Sequence, residues 1–368
     1  MAPTRYSSVL DPSEYGEGNT HGLLDSIQIR IGNKDDRADL GSISAIKDWQ
    51  NHVDPTIGFY AGTLHRRMHL IHLAIPDCIP ERLFITAYAT EFSMLSDDFF
   101  ENAEHTKAIE SRDGAIVGLN ASDTMPVNSN KDMQSERAKG IKKLQSWLIS
   151  EMMAIDPERA MLIVKVWTEY LKEGSCLRVE DYNVADYVEY RLVNVGGKFW
   201  EASIKFGTGI TIPDHEKQIS DDICRDAWIA MALINDLYSW EKEFRVATEL
   251  KLTGTFNVIW IIMREQGVDV EAAKQVCISM IKEYIQRLQL GLKKLEEKGE
   301  SSADLFLLIE GVKSTVWGGA LWSMGCPRYN SSAKFNEQQL EWLANGIPDH
   351  LQRNLRRVPL TISKVQRT

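Results

Sequence analysis

The chain has 368 residues, 43% of them hydrophobic and ten of them tryptophan, so it can bury a large core in one domain or two. Its formal net charge of −10 argues against a nucleic acid or an anionic membrane as a partner. No apolar segment is long enough to span a membrane, and the N-terminus lacks the apolar stretch of a signal peptide. The cysteines are scattered without a CxxC pair, which is typical of a reduced, cytoplasmic protein.

Apolar residues recur at three- and four-residue spacing along most of the chain, and this periodicity predicts a nearly all-α protein. The predicted helical segments are residues 80–102, 137–155, 157–173, 183–206, 220–246, 255–265, 269–298 and 301–325. The polar stretch 111–136 is predicted to be a mobile loop. The apolar periodicity fades near residue 346. We therefore predict one α-helical domain over residues 1–345 and a tail or the start of a linker over 346–368.

The first predicted helix ends in an acidic motif, residues 97–101, with the sequence Asp-Asp-Phe-Phe-Glu. Asp97 and Glu101 are four residues apart, so their carboxylates share a helix face. Carboxylates at a helix C-terminus oppose the helix dipole and favour a compensating cation. Mg²⁺ prefers such oxygen ligands, so the motif predicts a magnesium site; the alternative is a solvated helix end. A second DDxxD pattern, Asp35–Asp39, follows no apolar helix and is predicted to be a surface loop.

A pair of glycines interrupts the helical pattern after Arg191. Gly196 and Gly197 could let the backbone near Val195 approach a ligand, or they could simply form a helix–helix turn. Arg191 lies just before this break and is a candidate ligand for an oxyanion.

The segment Asn235–Glu243 carries a second set of hard oxygen donors. Asn235, Ser239 and Glu243 are spaced by four residues, so they can face one cavity from a single helix. An amide, a hydroxyl and a carboxylate can together bind a hard cation, whereas the alternative is a polar stripe satisfied by neighbouring helices. Lys242 is placed to reach a phosphate oxygen.

An arginine and a tyrosine follow the last long aromatic helix. Arg328 could clamp an oxyanion, and Tyr329 could act as a neutral donor beside it. Considered alone, such an arginine is equally compatible with a surface ion pair.

These four motifs, in this order, resemble those of class I terpene synthases. The sequence is most similar to the cyclase domain of fungal chimeric di- and sesterterpene synthases of the fusicoccadiene type, over nearly the whole chain. The resemblance implies a class I terpenoid synthase α-helical bundle with a central active-site cavity. It also implies a Mg²⁺ cofactor, with three ions expected, and an isoprenyl diphosphate substrate. Such relatives carry a separate C-terminal prenyltransferase domain, and a homo-oligomer is compatible with the resemblance.

The resemblance also implies roles for individual residues. The expected metal ligands are Asp97, Asp98, Glu101, Asn235, Ser239 and Glu243. The expected diphosphate contacts are Arg191, Lys242, Arg328 and Tyr329, with Asn194 at a position where the family often has aspartate. Aromatic rings can stabilise a carbocation, and the candidates for this role are Phe92, Phe199, Trp200 and Trp322. The expected catalytic residues are Asp97, Arg191, Asn235, Ser239 and Glu243.

The predicted reaction is ionisation of geranylgeranyl diphosphate (C20) and cyclisation of the carbocation to a polycyclic diterpene, with release of diphosphate. The alternative substrate is geranylfarnesyl diphosphate (C25), which would give a sesterterpene. Two other interpretations are a chain-elongating prenyltransferase and a non-catalytic helical scaffold. The former predicts a second Asp-rich motif on the later helix, where this chain has Asn, Ser and Glu.

Overall fold

The structure is a computed structural model, and it describes residues 6–16, 19–25, 27–102, 136–173, 179–299, 301–352 and 355–357. Within these ranges the side chains of residues 100–102, 170–173 and 298 are not described. The predicted loop 111–136 therefore lies outside the described residues, except for residue 136, at which a described helix begins. The end of the predicted tail beyond residue 357 also lies outside them. The side chain of Glu101 is also outside them.

The architecture is a bundle of α-helices, which confirms the all-α prediction. The helices are α1 (Arg37–His52), α2 (Leu70–Ala74), α3 (Pro80–Asn102), α4 (Glu136–Ile155), α5 (Pro157–Glu173), α6 (Val184–Asn194), α7 (Gly197–Thr208), α8 (Lys217–Glu249), α9 (Val258–Gln266), α10 (Val270–Lys298), α11 (Ala303–Gly325), α12 (Glu337–Asn345) and α13 (Asp349–Gln352). Two short antiparallel strands, β1 (Ser7–Val9) and β2 (Arg30–Gly32), pair near the N-terminus with Ser8 opposite Ile31. Among the described residues, no helix is both long and apolar enough to cross a membrane.

The helix α8 forms the central support of the bundle. Its 33 residues extend over about 50 Å, and its apolar stretch Ala227–Ile234 is completely buried. It packs against α10 and α11 in one hydrophobic core, while α1, α3 and α4 enclose a second core. Because α8 crosses the first core, polar side chains on it must be satisfied inside the protein.

The predicted helix over residues 183–206 is divided in two by the pair of glycines. Gly196 adopts a left-handed conformation with φ of 74°, which terminates α6 and starts α7. Gly197 packs against Trp228, and a Cβ at this position would lie 2.5 Å from the indole ring. Both glycines are therefore required by local geometry, and they place Arg191 and Trp200 on either side of a sharp break.

The helix α1 was not predicted, because small and polar residues interrupt its apolar pattern. Gly41 and Ser42 are both buried where α1 packs on α3. A Cβ at Gly41 would lie 2.2 Å from the carbonyl oxygen of Phe84, so the two helices approach too closely for any larger residue. Small residues therefore form this part of the helix interface, and the regular pattern of large apolar residues that predicts a helix is absent from α1.

Residues after 345 pack against the helical domain. Leu351 and Leu355 pack on the second core, and the guanidinium of Arg356 lies 2.7 Å from the carboxylate of Asp48. The same guanidinium lies 4.8 Å from the centre of the Trp147 ring. The domain boundary at residue 345 remains a prediction, and these contacts favour an extension of the folded unit to about residue 357.

We expect Arg356→Ala to lower the free energy of unfolding by about 3 kcal/mol, because it leaves the buried carboxylate of Asp48 without its cation. Chemical denaturation measures this loss. Arg357→Ala is the matched control, because the contact of Arg357 with Glu151 uses its backbone N–H, which alanine retains. Equal stability of the two variants would contradict the anchoring role of Arg356.

Candidate active site

A cavity of about 240 Å³ lies in the bundle between α3, α6, α7, α8 and α11. Its wall combines charged and amide side chains with apolar and aromatic ones. The polar residues on it include Asp97, Arg191, Asn194, Asn235, Lys242, Glu243, Arg328 and Tyr329. The apolar residues include Met94, Trp167, Phe199, Trp200, Met231, Val316 and Trp322. Such a cavity can hold an anionic group and a hydrocarbon chain of one ligand.

Arg191 is held on the cavity wall by Asp236. Its Nη2 and Nε atoms donate to Asp236 Oδ1 over 2.8 and 3.1 Å, and Asp236 is fully buried. The other carboxylate oxygen of Asp236 accepts from the Tyr187 hydroxyl at 2.7 Å and from the Val258 N–H at 2.9 Å. With both oxygens occupied, Asp236 fixes the guanidinium rather than binding a ligand.

The amide of Asn235 links Arg191 to the region after α11. Its Oδ1 accepts from Arg191 Nη2 at 2.7 Å, and its Nδ2 donates to the Tyr329 hydroxyl at 2.8 Å. Arg191 also donates to Asn194 Oδ1. Four of the predicted site residues therefore form one hydrogen-bonded group at the cavity wall.

Asp98 joins a second group of basic and neutral donors. Arg328 donates to both of its oxygens, at 2.7 and 2.9 Å, and Lys242 and Tyr60 add contacts of 3.0 and 2.5 Å. Burial would raise the pKa of Asp98, but the charges of Arg328 and Lys242 hold this pKa well below its usual range. Asp98 is therefore ionised and positions two cations that line the cavity.

Glu243 is a buried carboxylate next to a negative neighbour. Burial raises its pKa, the charge of Asp236 raises it further, and Arg191 opposes this shift. Asn257 Nδ2 donates to Glu243 Oε2 at 2.9 Å. The raised pKa indicates that the surrounding residues only partly compensate the charge of Glu243, so an added cation would stabilise its ionised form.

The hydroxyl of Ser239 is buried one helical turn from Glu243. It makes no hydrogen bond of normal length and angle with the described residues, although it lies close enough to Glu243 to lower that carboxyl's pKa. An unsatisfied buried oxygen beside an under-compensated carboxylate and the Asn235 carbonyl forms a donor set suited to Mg²⁺. The set is mixed, since it combines an amide, a hydroxyl and a carboxylate oxygen. In the part of the chain that is described, no three Asp, Glu, His or Cys side chains cluster in a way that could hold a metal ion.

The structure places most of the residues predicted from the sequence in one region. Asp97 lines the cavity, whereas Asp98 lies behind the wall in its ion pairs. The backbone of Glu101 lies in α3, but its side chain is outside the described residues. Phe199, Trp200 and Trp322 line the cavity.

Phe92 lies in the second core instead of on the cavity wall. Its side chain is 1% exposed, and its ring packs against Trp49 and Trp167 with centroids 5.7 and 5.4 Å away. The prediction of direct substrate contact by Phe92 therefore finds no support in the structure. Trp167, which lies between Phe92 and the cavity, presents its own ring to the wall.

The rival acidic pattern Asp35–Asp39 is only partly a loop: Asp35 and Asp36 precede α1, whereas residues 37–39 form its first turn, where the loop prediction is wrong. Asp35 accepts from the first N–H of α1, that of Arg37, at 3.0 Å and pairs with the Arg37 guanidinium at 2.6 Å. Asp39 accepts hydrogen bonds from Gln339. Burial raises the pKa of Asp39 to about 6. The pattern stabilises a helix start and a contact with α12, and it does not line the cavity.

Three residues near the site were missed in the sequence: Tyr60, Asp236 and Asn257. A signal existed for Asp236, since an aspartate next to a continuously apolar helical stretch must find a buried partner. Tyr60 and Asn257 lie outside the long helices, where periodicity carries no information about neighbours.

The fold is that of class I terpene synthases. Aristolochene synthase from Penicillium roqueforti superposes with a TM-score of 0.55 at 18% identity, covering 69% of this chain and 82% of that one. A variant of cucumene synthase gives a TM-score of 0.60 at 15% identity and covers 80% of this chain and 96% of that one. At these identities the likeness establishes the fold alone.

Residues 89–287 match the family described as Terpene synthase family 2, C-terminal metal binding, and the chain belongs to this family. Fusicoccadiene synthase of Phomopsis amygdali is 37% identical over 94% of this chain and 48% of its own length. A bifunctional sesterterpene synthase of Aspergillus aculeatus is 30% identical over 94% of this chain and 47% of its own length. The chain thus spans about half the length of the curated relatives it matches.

Proposed function

We propose that this domain is a Mg²⁺-dependent terpene cyclase. It ionises a linear isoprenyl diphosphate, releases diphosphate and cyclises the carbocation. The observation that carries the proposal is one cavity whose wall joins hard oxygen donors, two fixed guanidinium groups and several aromatic rings. Each of these parts matches one demand of the reaction: metal binding, anion binding and protection of a cation.

In this proposal Asn235, Ser239 and Glu243 hold Mg²⁺ on α8, and Asp97 and Glu101 hold it on α3. Asp98 was also predicted to be a metal ligand, but its oxygens are paired with Arg328 and Lys242, so it positions these two cations instead. The bound ions, three in the proposed count, supply Lewis-acid stabilisation of the departing diphosphate. Hard carboxylate, amide and hydroxyl oxygens are the ligands that Mg²⁺ prefers.

The basic residues orient the diphosphate. Arg191 and Arg328 are each fixed by a carboxylate, Asp236 and Asp98, so their donors are aimed before the substrate arrives. Lys242 adds a point charge, and Tyr329 and Asn194 add neutral hydrogen-bonding groups.

The hydrocarbon part of the substrate lies against the aromatic wall. Phe199, Trp200 and Trp322 exclude water and stabilise the carbocation, each by roughly 0.5–2 kcal/mol. Trp167 joins this set because its ring also reaches the cavity.

We propose geranylgeranyl diphosphate (C20) as the substrate and a polycyclic diterpene as the product. One relative is named a bifunctional type I diterpene synthase and is 32% identical to this chain, while the named sesterterpene synthase is 30% identical. Because these two identities are close, geranylfarnesyl diphosphate (C25) is the alternative substrate.

Two features of the whole protein are also part of the proposal. The bifunctional relatives are about twice as long as the matched region, which favours a further prenyltransferase domain after this one. The proposed compartment is the cytoplasm, because Cys78, Cys224, Cys277 and Cys326 are all buried and unpaired.

The test is incubation of the protein with Mg²⁺ and, separately, with the C10, C15, C20 and C25 diphosphates. We expect diphosphate release and cyclic hydrocarbons from the C20 substrate, with no release in EDTA; mass spectrometry and NMR identify the products. We expect Asp97→Ala to abolish release, whereas Asp36→Ala, in the rival acidic pattern, leaves it unchanged. Absence of release from every substrate would refute the cyclase proposal, and so would elongation in place of cyclisation by the 368-residue chain after addition of isopentenyl diphosphate.

A further inference from the structure

We propose that Asn257 is a positioning residue that sets the orientation of the Glu243 carboxylate for cation binding. The inference rests on the proposed function, because it assigns a purpose to a residue that touches one of the proposed metal ligands. Asn257 lies on the segment between α8 and α9, 14 residues after Glu243 in the sequence, and it is fully buried.

The side chain of Asn257 makes three hydrogen bonds with different partners. Its Oδ1 accepts from the Ile259 N–H at 2.9 Å and thereby caps the N-terminus of α9. Its Nδ2 donates to Glu243 Oε2 at 2.9 Å and to the main-chain carbonyl of Asp236 at 2.8 Å. Rotating the amide by half a turn would place its oxygen against two acceptors, so the network defines the orientation of the amide.

These contacts connect the proposed diphosphate-binding residue Arg191 with the proposed metal ligand Glu243. The next residue, Val258, donates its N–H to Asp236 Oδ2 at 2.9 Å, and Asp236 in turn holds Arg191. One short segment therefore fixes both the partner of a diphosphate-binding arginine and a proposed metal ligand. A shift of this segment would move both groups together.

A neutral donor is suited to this position. An arginine or lysine in the place of Asn257 would neutralise Glu243 and compete with a cation. The amide directs one carboxylate oxygen and leaves the negative charge of Glu243 available. Partners of this kind typically change metal affinity by about 10- to 100-fold when they are removed.

The decisive variant is Asn257→Ser. Serine is about as good an N-cap as asparagine, so α9 keeps its cap, but the shorter side chain cannot reach Glu243. Isothermal titration calorimetry measures binding of inorganic diphosphate in the presence of Mg²⁺. We expect this binding to weaken by about 10- to 100-fold. The midpoint temperature of thermal unfolding should stay close to that of the control variant, Asn336→Ser.

Asn336→Ser is the matched control, because Asn336 caps α12 through a 2.8 Å bond from the Gln339 N–H and does not line the cavity. We expect it to bind Mg²⁺ and diphosphate like the wild type. Equal binding by Asn257→Ser and the wild type, or an equal loss in both serine variants, would overturn the inference.

A double-mutant cycle with Glu243→Gln separates positioning from general damage to the fold. In the Glu243→Gln background, Asn257→Ser should have little further effect on Mg²⁺-dependent binding, because the carboxylate it orients is gone. Additive losses would refute the positioning role. If the serine variant does not fold, Asn257→Thr, which also keeps a capping hydroxyl and cannot reach Glu243, takes its place in the same cycle with the same criterion of non-additivity.

The two proposals fail in different ways. If the wild type neither binds diphosphate with Mg²⁺ nor releases it from any prenyl substrate, the proposed function fails. If the wild type does both and Asn257→Ser binds as well as the wild type, only the inference about Asn257 fails.

Discussion

Replacement of Arg191 by glutamine is expected to lower the free energy of unfolding by about 3–5 kcal/mol and to abolish diphosphate release. The pair is almost completely buried, since the side chains of Arg191 and Asp236 are 12% and 0% exposed. Removing the guanidinium leaves a carboxylate inside the protein without its cation. Urea denaturation measures the first effect, and a diphosphate-release assay with the C20 substrate measures the second.

A double variant separates the structural role of Arg191 from its proposed role with substrate. Asp236→Asn removes the stranded charge, so we expect Arg191→Gln with Asp236→Asn to regain part of the lost stability. Activity should not return, because the guanidinium that contacts the diphosphate is still missing. Recovery of activity in the double variant would show that Arg191 has a structural role only and does not contact the diphosphate. An Arg191→Gln variant as stable as the wild type would contradict the stabilising role of the buried ion pair.

The sequence was sufficient to predict the helices whose apolar faces are regular. Helical periodicity also predicted that Asn235, Ser239 and Glu243 share one side of α8, because residues four apart lie close together on a helix. Glycine chemistry predicted the break at Gly196. Each of these predictions depends only on residues that are near one another in the chain.

Helical geometry explains why the two neighbouring aspartates of α3 have different environments. Successive residues on an α-helix are rotated by about 100°, so Asp97 and Asp98 cannot point in the same direction. Asp97 faces the cavity, and Asp98 faces Arg328 and Lys242. The periodicity alone could not predict which of the two would face the cavity, because the partners of Asp98 are 144 and 230 residues away in the chain.

Contacts between distant segments also account for the residues that were missed. The hydroxyl of Tyr60 lies 2.5 Å from Asp98 and 2.8 Å from Arg328, yet Tyr60 belongs to the irregular segment between α1 and α2. Burial of Glu91 raises its pKa to about 7, and this carboxyl accepts a hydrogen bond from the Thr63 N–H at 2.7 Å. Glu91 thus fastens the segment that carries Tyr60 to the same helix that carries Asp98. Neither contact follows from a local pattern.

Arg328→Lys is expected to reduce the rate of diphosphate release by about 10²- to 10³-fold while leaving the protein folded. Lysine keeps the positive charge near Asp98 but cannot form two parallel hydrogen bonds to it, so the cation is no longer fixed in direction. Lys242 and Tyr60 still contact Asp98, which limits the cost to stability. Steady-state kinetics and thermal denaturation of the same preparation measure the two effects.

The chain offers a matched control for this substitution in Arg82. Its Nη1 lies 2.8 Å from Asp156, and the side chains of this pair are 16% and 9% exposed, against 10% and 17% for Arg328 and Asp98. Arg82 lies near the opposite end of α3 and does not line the cavity. Arg82→Lys should therefore cost comparable stability and leave the catalytic rate unchanged. If both variants lost activity in proportion to their loss of stability, Arg328 would act through the fold and not through the diphosphate.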